Sequence, residues 1–335
     1  MTLLIDTAQL AAGQRVLILN SAADPFVEFA AQQISYGQLV LAEDNIAALQ
    51  QPVRFVGPGS VQHIPFHDYP LHAVPGSMDV AVMNLLYQPG NAWVHYGLEV
   101  AAYALKVGGQ LYVMGAKDRG IVSVAKRMQA CFGNVETLEI SKGQRVVRAR
   151  KDAGWQAPEG HPPVLPLDDV FAGGKLDEGT RLLLEVLEVR ATDVALDIGC
   201  GAGYIGLHIA QQAPKGQVTM VDASLAAVAR ARQRVVESGQ SNVQVLPSAG
   251  AQAVSEQRFD LIVTNPPFHT GGIQTTAIAE RFIREAAQVL RPPRGRFYLV
   301  ANRFLKYEPA LRASFKVVEE VGGDTRYKVL RALSA

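Results

Sequence analysis

The tetrad Asn265-Pro266-Pro267-Phe268 is the part of this chain with the most specific chemical content. It follows residues 259–264, FDLIVT, a pattern of a buried strand, and runs on into His269 and Gly271. Two consecutive prolines fix φ and remove two N–H groups, leaving carbonyl oxygens that point outward without local partners. Asn265 adds a side-chain oxygen acceptor. The Pro266 carbonyl and Asn265 Oδ1 can together accept both hydrogens of a planar amine and turn its nitrogen lone pair toward an electrophilic carbon. Phe268 offers a flat apolar face on which a base can stack. An amine conjugated to a ring is a poor nucleophile, so positioning and electrostatics must carry its reaction. The two oxygens stabilise the charge that grows on nitrogen, and the proton leaves afterwards to water. Asn265, Pro266, Pro267 and Phe268 are therefore the expected catalytic group.

A ligand loop lies upstream. Residues 194–210, VALDIGCGAGYIGLHIA, read as a short buried strand, a glycine loop and a helix. Gly199, Gly201 and Gly203 permit a tight turn and a close approach of backbone to ligand. The helix after them starts with unsatisfied N–H donors and a positive dipole end. Gly201-Ala202-Gly203-Tyr204-Ile205-Gly206 also satisfies the dinucleotide pattern G-x-G-x-x-G, which keeps a nicotinamide or flavin oxidoreductase as a rival reading. Asp197 favours a different cofactor. It ends the strand two residues before Gly199, where a carboxylate suits the ammonium and sulfonium of S-adenosyl-L-methionine and repels a pyrophosphate.

Asp222 ends the next strand, with Ala223 beside it, and fits the ribose hydroxyls of either cofactor. Cys200 belongs to the loop as a small packing residue rather than a nucleophile. Ser248, after a third strand, either meets an adenine edge through its side chain or amide, or forms a turn. Leu176-Asp177-Glu178-Gly179-Thr180 opens a helix that Asp177 or Thr180 can cap, and that helix start is a candidate neighbour of the methionine moiety. The expected cofactor set is Asp197, Gly199, Cys200, Gly201, Gly203, Asp222, Ala223, Ser248 and Asn265.

These segments need a framework, and the sequence supplies it twice. Strands rich in Val, Ile and Leu alternate with alanine-rich helical patterns in both halves, which argues for α/β units with a mostly parallel sheet. Residues 38–45 align with 217–224, placing Glu43 over Asp222 at an offset of 179. Residues 78–90 align with 259–271, placing Asp79 over Asp260 and Asn84 over Asn265 at 181. Residues 110–118 match 296–304 at 186. Ordered matches at a nearly constant offset indicate a duplication. The copies diverge where chemistry would sit: ILNSAAD at 18–24 lacks the glycines of the second loop, and Asn84 is followed by Leu85-Leu86-Tyr87 instead of two prolines. The expectation is α/β, two tandem Rossmann-like class I methyltransferase domains, the first degenerate (1–151), a proline-rich linker (152–168) and a catalytic domain (169–335).

The bulk numbers accommodate this and narrow the class. The chain has 335 residues, 48% of them hydrophobic and 19% charged, ample for two cores. Cys131 and Cys200 alone cannot build a disulfide framework. The start, MTLLIDTAQLAAG, lacks a signal-peptide pattern, and no apolar run reaches the roughly 20 residues of a membrane helix. A cytoplasmic protein without a membrane partner is expected, as a monomer or weak dimer. A net charge of +1 supplies no overall electrostatic footprint for nucleic acid. Local clusters at Arg291, Arg294 and Arg296, at Arg303 and Lys306, and at Lys142, Arg145, Arg148, Arg150 and Lys151 permit RNA without requiring it. His63, His67 and His72 lie among prolines without a helical frame, so no metal site is expected.

At Asn265-Pro266-Pro267-Phe268-His269-x-Gly271 and Asp197-x-Gly199-x-Gly201-x-Gly203 the chain resembles the two-domain bacterial ribosomal RNA guanine-N2 methyltransferases, the small-subunit methyltransferase C type and its large-subunit relative. Phe171, Leu176-Asp177-x-Gly179 and Ala301-Asn302-Arg303-Phe304-Leu305-x-Tyr307 add to the likeness, which is close in the second half and looser in the first. The resemblance implies S-adenosyl-L-methionine as cofactor and methyl transfer to the exocyclic N2 of a guanine in ribosomal RNA, 16S ahead of 23S. It implies target-base binding by residues 265–268, with Phe268, His269 and Phe171 against the substrate, and RNA recognition by the first domain. The tetrad alone is shared with methyltransferases acting on adenine N6 and on protein glutamine.

Overall fold

The computed structural model describes residues 2–154, 162–170, 176–267, 269–270, 273–274 and 276–334, which form two compact units divided between Pro166 and Leu167. In the first unit β1 (Arg15–Leu19), β2 (Gln38–Glu43), β3 (Ser60–Pro65), β4 (Met78–Asn84), β5 (Leu105–Ala116), β6 (Glu136–Ser141) and β7 (Gln144–Arg150) form one sheet. Its order is β3-β2-β1-β4-β5-β7-β6, with β7 antiparallel to both neighbours. In the second unit β8 (Val194–Ile198), β9 (Gln217–Asp222), β10 (Val243–Pro247) and β11 (Leu261–Thr264) are followed by a two-residue ladder of β12 (His269–Thr270) and β13 (Ile273–Gln274). Then come β14 (Arg296–Asn302), β15 (Val317–Gly323) and β16 (Tyr327–Leu333). The main sheet there runs β10-β9-β8-β11-β14-β16-β15, the same permutation as the first.

The register repeats along with the order. Arg15 pairs with Gln38 as Val194 pairs with Gln217, and Val80 with Gln110 as Leu261 with Arg296. These equivalences reproduce the offsets of 179, 181 and 186 found in the sequence. The Asp79 carboxylate accepts from Arg15 N at 2.7 Å, and Asp260 accepts from Val194 N at 3.0 Å. On the outer hairpins Arg148 pairs with Glu136 and Arg331 with Glu319 across equivalent rungs. Two tandem Rossmann-like folds are thus present.

Strands covered by helices on both faces read as continuous apolar runs. In the second unit Leu196, Ile198, Ile262, Phe297 and Leu299 face the helix Ala277–Val289. Ala195, Met220, Leu261, Val263 and Tyr298 face the helices Glu178–Val186, Tyr204–Gln212 and Leu225–Ser238. Chain order reverses beside β8, whose neighbours are β9 and β11, and such a reversal opens a crevice beyond the carboxyl ends of the central strands. Among the described residues no helix is long and apolar enough to cross a membrane.

Several members of the basic clusters read from the sequence are engaged within the fold. Arg296 is buried against Asp193 at 2.5 Å, and Arg291 pairs with Asp260 at 2.6 Å. The Lys151 ammonium is buried, donating to the Ala102 and Leu105 carbonyls at 2.7 and 2.8 Å, where the helix Asn91–Ala104 ends. Linear proximity of charges says nothing about where the chain's partners for them lie.

The equivalent crevice of the first unit is closed by its own side chains. Asn20, in the place of Gly199, takes a φ of +45° that asparagine tolerates better than most residues. Glu43, in the place of Asp222, accepts from Ala22 N, Asp44 N and Asn45 N at 2.8, 3.0 and 2.9 Å. The buried Gln88 amide donates to the Asn20 and Asn84 carbonyls at 3.0 and 3.1 Å, and its oxygen accepts from Asn20 Nδ2 at 3.4 Å. Gln88→Ala leaves those carbonyls and a cavity behind, and is expected to cost about 1–3 kcal/mol of stability; urea unfolding of the full chain checks it.

Candidate active site

The strand ends of the second unit bring the glycine loop and the Asn265 loop to one crevice. Thr264, the last residue of β11, donates through Oγ1 to the Ile198 carbonyl at 2.7 Å and so ties the end of β11 to the end of β8. Gly199, Gly201 and Gly203 have φ of +73°, +53° and +84°, left-handed backbone that other residues adopt only with strain. The amides of Gly199 and Cys200 both reach the Val221 carbonyl, at 2.8 and 3.0 Å, which anchors the loop to β9. Gly206 serves packing: a Cβ there would fall 2.5 Å from Met220 Cε.

Asp197 is wholly buried. Its Oδ2 accepts from Gly206 N at 2.9 Å, and its Oδ1 has no partner. Burial lifts this carboxyl to about 7, the Asp222 charge adds to the rise, and the Gly206 bond opposes it. The helix Tyr204–Gln212 therefore already commits its N-terminal dipole and one amide to a protein carboxylate. In a dinucleotide site that helix start would hold a pyrophosphate. The arrangement opposes the oxidoreductase reading and suits a cation, which would satisfy Oδ1.

Asp222 accepts from Gly201 N through Oδ2 and from Ser224 N through Oδ1, each at 2.8 Å. Burial raises its carboxyl, against the lowering effect of bonds from Ser224, Gly201 and Ala223. Ala223, half-buried, follows it. Cys200 is buried, and burial together with the charges of Asp222 and Asp197 pushes its thiol well up, so it packs rather than attacks. Ser248 is engaged elsewhere. Its amide donates to the Asp222 carbonyl at 2.8 Å and its Oγ accepts from Ala253 N at 3.0 Å, so the amide expected at an adenine edge is already taken.

Asp177 is the cap of the helix Glu178–Val186, accepting from Thr180 N at 3.0 Å. What the sequence did not show is its second bond. Asn265 Nδ2 donates to Asp177 Oδ1 and Oδ2 at 3.2 and 3.3 Å and to Thr180 Oγ1 at 2.9 Å. Neither Asn265 Oδ1 nor the Pro266 carbonyl receives a hydrogen bond from any described residue. Pro266 is buried and Pro267 exposed. Phe268, Phe171 and Gly271 lie outside the described residues, and His269 is described by its backbone alone, paired with Gln274. Among the described residues no cluster of three metal-ligating side chains occurs.

Residues 163–331 match the family model of the methyltransferase small domain. The ribosomal RNA small subunit methyltransferase C of Pseudomonas entomophila is 34% identical over 276 residues, covering 76% of this chain and 81% of that protein. Its namesake from Shewanella sediminis is 29% identical over 344 residues, 98% of this chain and 96% of that one. Among solved structures, the T. thermophilus 16S rRNA N2 G1207 methyltransferase (RsmC), in complex with AdoMet and guanosine, superposes with a TM-score of 0.80 at 30% identity. That likeness covers 99% of this chain and 91% of the other.

The Asp197 carboxyl has a testable consequence without ligand. Because its folded value is raised, it favours the folded state fully below pH 3.8, and this contribution is lost as pH climbs to about 7. Asp197→Asn keeps an acceptor for Gly206 N and removes the buried charge. The ligand-free variant is expected to gain stability at pH 8, by up to about 4 kcal/mol, and less at pH 5. Urea unfolding at the two pH values measures it; equal stability of variant and parent at pH 8 would contradict an unpaired buried charge.

Proposed function

The chain belongs to the methyltransferase small-domain family, within the ribosomal RNA small subunit methyltransferase C group, and from that premise we propose that it methylates the exocyclic N2 of a guanine in 16S ribosomal RNA with S-adenosyl-L-methionine as donor. The target is the nucleotide equivalent to the G1207 named for the T. thermophilus relative. One observation carries the reading: at the carboxyl ends of the adjacent strands β8 and β11 stand a buried carboxylate oxygen of Asp197 without a donor and the Asn265 side chain, its nitrogen held and its oxygen without a donor.

The residues fit the cofactor. Asp197 Oδ1 would accept from its ammonium, Asp222 would take the ribose hydroxyls, and the Gly199–Gly203 backbone leaves room that a Cβ at Gly201 alone would enter unhindered. Bound S-adenosyl-L-methionine supplies a methyl carbon made electrophilic by sulfonium. The chain does the rest by position. Asn265 Oδ1 and the Pro266 carbonyl accept the two N2 hydrogens and hold the lone pair toward that carbon. The same two oxygens would stabilise the positive charge that grows on the amine nitrogen as it takes up the methyl group, and one N–H proton would then pass to water. Phe268 offers by its residue type an apolar face for a guanine, and His269 and Phe171 remain substrate-binding candidates on the strength of the sequence alone.

The first unit holds RNA rather than cofactor. At the carboxyl end of β5 and the β6–β7 turn stand Lys117, Arg119, Lys142 and Arg145; Gly115 pairs with Arg145, and Lys117 N donates to the Gly143 carbonyl at 3.3 Å. Among the described residues no carboxylate forms an ion pair with any of these four. They are four cations without an internal ion pair that stand close together, so a chain of net charge +1 still offers phosphates a local patch. Action as a monomer in the cytoplasm completes the reading.

Two measurements test it. Labelled methyl donor and small ribosomal subunits from a strain lacking the modification should yield N2-methylguanine at that single nucleotide, mapped by mass spectrometry. Label in N6-methyladenine or in protein would overturn the assignment. Lys142→Glu with Arg145→Glu should raise KM for RNA at least tenfold and leave kcat within twofold. The same pair should flatten the dependence of log affinity on log salt by about 0.9 for each phosphate that is no longer neutralised. An unchanged salt slope would place the RNA elsewhere.

A further inference from the structure

Asn265 is gripped from behind. Its side-chain nitrogen has three acceptors within 3.3 Å: both Asp177 oxygens and Thr180 Oγ1. The hydroxyl of Thr180 has a single proton, and it donates that proton to Asp177 Oδ2 at 2.5 Å. Its lone pairs therefore face Asn265, and the relay has one direction: Asn265 N–H to Thr180, Thr180 O–H to Asp177, with a carboxylate at the end to strengthen each step. Asp177 is held in turn by the cap bond from Thr180 N. Behind them the space is shut, because Gly179 is buried and a Cβ on it would lie 3.2 Å from Asp177 Oδ1 and 3.4 Å from the Tyr327 ring.

An amide has two faces of opposite character, and three acceptors on one side admit only its NH2. Oδ1 is then forced to the other side. In the first unit the equivalent Asn84 is held by a different carboxylate, its Nδ2 donating to Asp24 Oδ2 at 2.6 Å while its Oδ1 is consumed by Leu86 N at 2.9 Å. There the oxygen does no outward work. In the second unit it has no donor.

Resting on the methyl-transfer reading above, we infer that Asp177 and Thr180 are positioning residues for the reaction: they lock the Asn265 amide so that Oδ1 faces the target amine, and they make asparagine, not aspartate, the residue this chain requires at 265. A carboxylate at 265 would still accept from the amine. It would also set an acceptor against the Asp177 oxygens and the Thr180 lone pairs, where like charges repel. Exchanging the two chemistries restores the pattern: an amide at 177 can donate to a carboxylate at 265 while its own oxygen keeps the cap bond to Thr180 N.

The experiment uses the full chain with small ribosomal subunits, and measures kcat, KM for subunits, donor affinity by calorimetry and melting temperature for each variant. Asn265→Asp is expected to lose at least thirtyfold in kcat. The double variant Asp177→Asn with Asn265→Asp should recover at least tenfold of that loss. Thr180→Val should lower kcat about tenfold with KM, donor affinity and melting temperature little changed, and Thr180→Ser should regain most of it. Failure of the double exchange to improve on Asn265→Asp, in protein that melts like the parent, overturns the inference. So does a Thr180→Val enzyme with parental kcat. A parent that makes no N2-methylguanine defeats the functional reading instead, which separates the two failures.

Discussion

A carboxylate at the end of a central strand, out of contact with water and satisfied on one oxygen only, governs the second unit. Asp197 accepts one amide from the first turn of the helix Tyr204–Gln212, that of Gly206, and Gly206 in turn must lack a side chain because Met220 fills the space beside it. The loop between strand and helix is thereby compressed, and three positive-φ glycines are what make the compression feasible. Within the chain only the Gly206 bond favours the ionised form of Asp197, and burial lifts the carboxyl to about 7.

The first unit shows what the same frame becomes when that demand is lifted. Position 18, opposite Asp197 in the duplication, is isoleucine, buried in the core with Val16 and Leu39. Glu43 keeps the pattern of bonds made by Asp222, one methylene longer, and Gln88 fills the crevice. The polar groups at this position are satisfied within the chain. Loss of one function left the sheet order and register untouched, since these depend on apolar strands and on hydrogen bonds such as that from Arg15 N to Asp79.

The chemistry was legible in the sequence wherever it was local. The Asn265–Phe268 tetrad, the glycine loop and its two acidic residues each announce themselves within a few positions, because prolines, glycines and strand ends constrain the backbone directly. The duplication was legible because strand pairs kept constant spacing. Partners across the fold were not. Asp177 reads as a helix cap from its spacing to Thr180, yet its bond to Asn265 spans 88 positions and depends on where two elements converge. Arg296 and Lys151 read as members of basic clusters, and nothing near them in the chain names Asp193 or the carbonyls of Ala102 and Leu105. Ser248 stands at the strand end its sequence position implies, but only three dimensions show its amide already taken by Asp222.

Two sheets of one permutation in a single polypeptide also create a hazard during synthesis. Each nascent copy meets strands of matching order and register in the other, and exchange between tandem copies is a common way for such chains to go astray. The outer hairpins offer no protection, because their Arg–Glu rungs are alike. The central strands do. Were β8 to settle in the place of β1, Asp197 would arrive where Ile18 is buried, with no Gly206 amide to receive it. The acid buried in one half thereby also labels its strand as belonging to that half, and hybrid sheets are penalised at a buried point.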